Sequence, residues 1–435
     1  MMNSVKKNNS IKNLRLRLGF LAGCYLASLS ATAQEQNFTL EASLRRALDL
    51  APEMRAADAA IADKEGALQR AGAWPNPSIE LRVDDRISKE TGGGGAKLTQ
   101  LALSQPLPLT NRRQHMKDAA SATLIGAQAQ RQHRKLMIEA DVARIFHTLQ
   151  LAEAKLRLAE QRLELADLLQ KAAQRREQAG ELARLERLRL DILREQAHQN
   201  TDREEGEYSE ALTQFRARLA LGSEQTPKLT PLSSMSALPT LETLRANSSN
   251  HPAMRATAQN IEAANDTVAA ARAERIPDIT LRLFHDQDFI NGQTQTINGV
   301  GLAWNLPLWD RNRGRINEAR AQFDAATAEA MIVKRDLSID LDQSYLHLGH
   351  LIQQATHFHD RVLQSAQEML TLTRKAYESG EAEILSLVDA NDTYFDAQVR
   401  YLELLYEAWI EAAKLRLATG QSALDSTQST QGSQP

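Results

Sequence analysis

Apolar residues recur every seven positions over two long stretches of this chain. Leu149, Leu156 and Leu163 form one stripe, Leu151, Leu158 and Leu165 a second, and Val388, Phe395, Leu402 and Trp409 a third. That spacing marks helices packed along their length. No proline falls between Pro108 and Pro227, nor between Pro307 and Pro435. Gly180 and Gly380, each followed by a glutamate, predict the tips of two helical hairpins. A continuous helix from Arg112 to Gln178 would run about 100 Å, at roughly 1.5 Å per residue.

Ahead of each long stretch the period changes from seven to two. Ile79, Leu81 and Val83 alternate with Ser78, Glu80 and Arg82, and Ile279, Leu281 and Leu283 alternate with Thr280 and Arg282. This predicts strands with one apolar and one polar face. Return strands are expected near Leu101 and Leu103, and over Val300, Leu302 and Trp304, joined by polar loops at 86–96 and 285–296. Trp74, Trp304 and Trp309 stand at or beside strand ends, as in the aromatic belts of membrane barrels. Leu44 to Ala73 and Leu241 to Glu274 read as one opening helix each, ended by Pro75 and Pro77 and by Pro277.

The two halves repeat one plan: helix, two strands, long helical hairpin. Pro52-Glu53-Met54-Arg55-Ala56 matches Pro252-Ala253-Met254-Arg255-Ala256 at an offset of 200, and Gly180-Glu181 matches Gly380-Glu381 at the same offset. Pro108-Leu109 matches Pro307-Leu308 one residue out of step. These ordered matches predict a duplication. The expected division is 1–33 leader, 34–222 first repeat, 223–241 linker with Pro227, Pro231 and Pro239, 242–421 second repeat, and 422–435 disordered tail.

The leader carries Lys6, Lys7, Lys12, Arg15 and Arg17, an apolar run from Leu18 to Leu29, and Ala31-Thr32-Ala33. This is the make-up of a secretory signal peptide cleaved after Ala33. Leu21-Ala22-Gly23-Cys24 also resembles a lipoprotein box, in which Cys24 would be lipidated; otherwise Cys24 leaves with the leader. It is the only cysteine, so neither case allows a disulfide. Losing five leader cations takes the formal charge from −3 to −8. That acidity argues against a nucleic-acid partner. The chain has 25% charged and only 5% aromatic residues, a composition of long helices side by side.

Four strands cannot close a barrel, and an open edge in lipid leaves backbone groups unsatisfied. Several chains must therefore pool strands. The expected class is mainly α with a membrane β-barrel.

At this point the residues resemble the TolC family of outer-membrane efflux factors. Thr39-Leu40-Glu41-Ala42 with Ala47-Leu48 and Pro52 is similar to that family's opening helix. Tyr377, Gly380, Leu385, Val388, Asp389 and Ala390 resemble its second hairpin tip. Pro307-Leu308-Trp309-Asp310-Arg311-Asn312-Arg313-Gly314 is similar to the heavy-metal, cobalt-zinc-cadmium branch. The resemblance implies a homotrimer in outer-membrane lipid, with a twelve-stranded barrel and a periplasmic helical tunnel. It also implies a periplasmic adaptor and an inner-membrane resistance-nodulation-division transporter as partners. Cofactors and covalent chemistry are not implied. Other outlets for the same channel are a multidrug pump or type I secretion. A periplasmic adaptor or coiled-coil scaffold is the rival outside the family.

By position relative to the tip glycines, Glu186, Tyr377 and Asp389 match the family's gate positions. The family's basic partner falls at Ala382 and a further acid at Ser386, so Arg374 or Arg184 is left to substitute. Adaptor docking is expected at Gln178, Ala179, Gly180 and Glu181 and at Ser379, Gly380 and Glu381. His347 and His350, three apart on a helix, read as surface histidines, so no metal site is expected. No Gly-rich phosphate loop and no Ser/His/Asp constellation points to an enzyme.

Overall fold

A computed structural model describes residues 37–85, 97–180, 182–235, 238–290 and 293–424. The leader with Cys24, the loop 86–96, Glu181 and the tail from 425 lie outside them. The chain opens with β1 (Asn37–Phe38), α1 (Leu40–Leu50) and α2 (Pro52–Gly72). Strands β2 (Ser78–Asp85) and β3 (Lys97–Leu107) follow, then the hairpin of α3 (Arg112–Gln178) and α4 (Arg184–Leu219). After β4 (Lys228–Leu229) the plan repeats as α5 (Leu241–Ser248), α6 (Pro252–Ala273), β5 (Ile279–Ile290) and β6 (Gln293–Trp304). The second hairpin is α7 (Arg313–Phe358), a π turn over His359–Leu363, α8 (Gln364–Glu378) and α9 (Ile384–Thr419).

The heptad stripes build the cores. Leu149 is buried with Phe146, Phe215 and Leu219 where α3 meets α4. Leu341, Leu348 and Leu351 of α7 pack on Leu404, Leu405 and Ala408 of α9. As expected, α3 is one helix of 67 residues.

Four expectations need correction. Each opening helix is broken in two, at Ala51 and at Ser249–His251, because a proline has no N–H and forces its predecessor out of the α region. Ala51 and His251 are accordingly extended, with ψ of 117° and 135°. Each proline then starts a new helix, where its missing donor costs nothing. Most of the polar loop expected at 285–296 is strand, since β5 and β6 pair as far as Ile290 and Gln293. Parts of the linker expected at 223–241 are packed. Leu229 pairs beside Phe38 in a parallel bridge, and Leu232, Met235 and Leu238 lie on the second hairpin's core. Finally, Ser422 in the expected tail is buried: its hydroxyl donates to Glu139 Oε1 at 2.7 Å, and Ala423 N–H donates to Oε2 at 2.9 Å.

The sheet runs β2-β3-β5-β6, every neighbour antiparallel. Both outer strands, β2 and β6, have a free edge among the described residues. No helix of the described residues is long and apolar enough to cross a membrane.

Candidate functional site

Cross-strand register sorts the sheet into two faces. Ile79, Leu103, Leu283 and Val300 stand in one row, with Leu281 opposite Leu302 and Ile279 opposite Trp304 in the next two. This face is bare: Ile79 is 74% exposed and Leu302 71%. An apolar sheet face without cover marks a surface that meets lipid or another chain. Trp74, Trp304 and Trp309 edge the sheet on its helix side and are exposed, Trp309 at 93%. The unbroken apolar run reaches Val83 on β2 and Leu101 on β3; on β5 it is interrupted after Leu283 by His285 and Gln287 before Phe289, and on β6 it ends at Val300, two rows lower than on β2. At about 6.8 Å per row and 4.8 Å between strands, a level apolar band then means strands tilted by roughly 40°, the tilt of membrane barrels.

The opposite face is mostly polar or small, with Phe284 and Ile297 its exceptions on β5 and β6. Arg282 Nη2 lies 3.3 Å from Glu80 Oε2. Gly301 stands opposite Arg282 and Ala303 opposite Thr280; a Cβ at Gly301 would meet Arg282 at 3.9 Å, ordinary contact. Phe284 lies flat across Gly299: a Cβ there would sit 2.2 Å from the ring's Cζ.

At the far end of the helices the two hairpin tips meet. Gly180 takes φ +76° and Gly380 φ +81°, the left-handed conformation that favours glycine. At the second tip Glu381 N–H and Ala382 N–H both donate to Ala376 carbonyl oxygen, at 2.8 and 3.1 Å, closing the end of α8. Gln178, Ala179, Gly180, Ser379, Gly380 and Glu381 are all exposed. Behind them one apolar core joins both hairpins: Leu169, Ala173 and Leu190 from the first, Leu370, Ile384 and Val388 from the second.

Tyr377 is half-buried on that core, and the Arg176 guanidinium of the other hairpin stands 5.5 Å over its ring. Glu186 sits in the first turn of α4, where the helix dipole favours an acid. Asp389 is exposed on α9. Among the described residues of one chain, neither carboxylate is in an ion pair, and neither are Arg374 and Arg184.

The guanidinium that reaches the acids of α9 is Arg162 of α3. It lies 2.7 Å from Asp392 and 3.2 Å from Asp396. Burial pushes the Asp392 carboxyl up from its ordinary range; Arg162 opposes this, and Asp396 and Asp389 add to it. Asp389, Asp392 and Asp396 thus form a ladder on one helix face. Sequence reading found the first rung and missed the others. Their spacing of three and four was the available signal.

The junction between sheet and helices is tied by the segment after β6. Asp310 Oδ1 accepts from Asn312 N–H at 2.8 Å, and Asn312 adopts φ +60°. Its amide donates to the Ala271 carbonyl at 2.8 Å and to Glu274 at 3.2 Å. Asp310 therefore caps the turn before α7.

Comparison with known proteins decides the family. The model of the family described as "Outer membrane efflux protein" matches twice, over 43–221 and 244–421. This chain belongs to the outer membrane efflux protein family. It is accordingly an outer-membrane protein of the TolC type, with a membrane sheet and a periplasmic helical extension. The chain is 26% identical over 388 residues to the cobalt-zinc-cadmium resistance protein CzcC of Cupriavidus metallidurans, covering 88% of this chain and 90% of that one. It is 24% identical to the nickel-cobalt-cadmium resistance protein NccC of Alcaligenes xylosoxydans xylosoxydans, over 67% of this chain and 68% of that one. In fold it is similar to CusC, a transmembrane channel, with a TM-score of 0.73 at 17% identity, covering 89% and 93% of the two chains.

Proposed function

We propose that this chain is the outer-membrane duct of a tripartite efflux pump that exports divalent heavy-metal cations. In this reading it acts as a homotrimer with a periplasmic adaptor and a resistance-nodulation-division transporter. The observation that carries the duct is the bare, tilted, four-stranded sheet with two free edges. Three copies complete a barrel of twelve strands and leave no edge in lipid. Likeness to CzcC and NccC over most of the chain supports the metal cargo.

The duct works without covalent chemistry. Energy comes from the transporter, and the tunnel gives a water-filled path. Closure at the tips rests on Tyr377 under Arg176 and on Arg162 among Asp392 and Asp396. Glu186 and Asp389, in no ion pair among the described residues, are left for neighbouring chains, and a ring of Asp389 raises the local concentration of cations. The exposed turns at Gln178–Gly180 and Ser379–Glu381, with Glu181 beside the first, are the adaptor's docking surface.

Growth of a deletion strain against cobalt, zinc, cadmium and nickel, and against lipophilic drugs and bile salts, tests the cargo. Sensitivity to a set of metals, rescued by the intact gene, is the expected result. Sensitivity to drugs alone would make the cargo organic and leave the duct standing.

A further inference from the structure

Where the sheet joins the helices, α3 and α6 bring together three side chains that the export reading does not use. His115 and Asp118 stand three apart on the first turns of α3, one above the other on one helix face. Asp266 faces them from α6. One ligand atom from each lies within 4.8 Å of the other two.

The His115 ring holds the unusual feature. Its Nδ1 is buried and has no hydrogen-bond partner. The nearest acid oxygen, Asp266 Oδ1, is 3.6 Å away, beyond hydrogen-bond reach. Two ligands about 2.1 Å from a tetrahedral metal lie about 3.4 Å apart, so that gap is close to the edge of a metal's coordination shell. Asp118 Oδ1 accepts from Gln114 Nε2 at 2.8 Å, which orients the carboxylate and leaves its other oxygen available. The nearby cation Arg112 is taken up by Asp278 at 3.1 Å.

The cluster is not a relic of the duplication. At the repeat's offset of 200 the corresponding positions are Arg315, Glu318 and Gly66, so the histidine and the α6 carboxylate have no counterpart in the other repeat. It forms only where the first repeat's α3 meets the second repeat's α6.

We propose that His115, Asp118 and Asp266 form a binding site for a late first-row divalent cation such as Co2+ or Zn2+, bridging α3 to α6. One imidazole and two carboxylates with room for water suit those ions over Mg2+ and Ca2+, which take oxygen. The site rests on the chain's own geometry and stands apart from the cargo. A drug duct would still bind cobalt here, and a metal duct without this site would still export.

The test uses metal-free, tag-free protein purified in detergent and titrated with Co2+, read by its visible absorption. The expected result is one Co2+ per chain, displaced by Zn2+ and not by Mg2+. His115→Ala and Asp266→Asn should each weaken binding roughly tenfold or more. His198→Ala, which removes the His198–Asp202 pair (3.0 Å) on α4, should change nothing. Circular dichroism and native mass confirm folding of each variant, and Asp118→Asn, at an exposed position, replaces either that fails. No cobalt band in the wild type overturns the proposal. So does a band that persists unchanged in the folded variants.

Discussion

Arg162 and Asp392 join the two hairpins across 2.7 Å, one on α3 and the other on α9. The two residues are far apart in sequence, yet their pairing fixes how the hairpins sit just behind the tips. Asp392 is half-buried: burial pushes its carboxyl up, and this one guanidinium opposes the rise. In the proposed duct, this contact is one of those that would hold the tip closed.

Arg162→Ala should therefore loosen the closed state. A partly exposed pair of this type contributes on the order of 1 kcal/mol, or about a fivefold shift towards open. Single-channel recording in a planar bilayer should show a higher open fraction. Asp392→Asn should act in the same direction, and the double variant should add little to either.

His147 makes stability depend on pH. It is buried on α3, stacked on Trp409 at 5.0 Å between ring centres, with Nδ1 2.8 Å from Gln150 Oε1. Burial lowers its pKa to about 4, with Arg416 adding and Gln150 opposing. Burial also lowers His133 and His251. A folded value below the unfolded one, about 6.5, means that the unfolded chain binds more protons in between. Stability is then complete above pH 6.5 and falls as the pH drops towards 4, by about 3 kcal/mol for His147 alone. Thermal midpoints from pH 7.5 to 4.5 check this, and His147→Gln should flatten the slope.

Gly299 and Phe284 are coupled on the polar face of the sheet. Gly299→Ala drives a methyl into the ring, which has to swing away, at a cost of about 1 kcal/mol or more. In a Phe284→Ala background the same change should cost little. A double-mutant cycle on the melting of the assembled channel measures the difference.

Leu302 and Ala303 are neighbours on β6 that face opposite ways. Leu302→Arg puts a charge on the apolar face and should cost about 2–4 kcal/mol if that face meets lipid. Ala303→Arg should leave assembly intact and change conductance. The yield of folded protein in outer-membrane fractions separates them.

The regular parts of this fold were legible because their signals are local. Heptads such as Leu149, Leu156 and Leu163 mark helices, and Ile79, Leu81 and Val83 mark a strand, without knowledge of any partner. The breaks at Pro52 and Pro252 are equally local, since a proline bars the α region to the residue before it. What stayed hidden depends on tertiary register. Arg162 reaches Asp392, Arg176 covers Tyr377, and Ser422 meets Glu139 across 283 residues of chain. No spacing rule along one helix encodes such pairs. The His115–Asp266 approach is of the same kind, joining helices from different repeats.

The central claim is that one chain is a third of a tube. Native mass spectrometry of the protein extracted from outer membranes tests it most directly, paired with conductance in a planar bilayer. The account predicts a mass of three chains and a water-filled pore. A stable monomer without conductance would contradict it, since four strands with two free edges cannot stand alone in lipid.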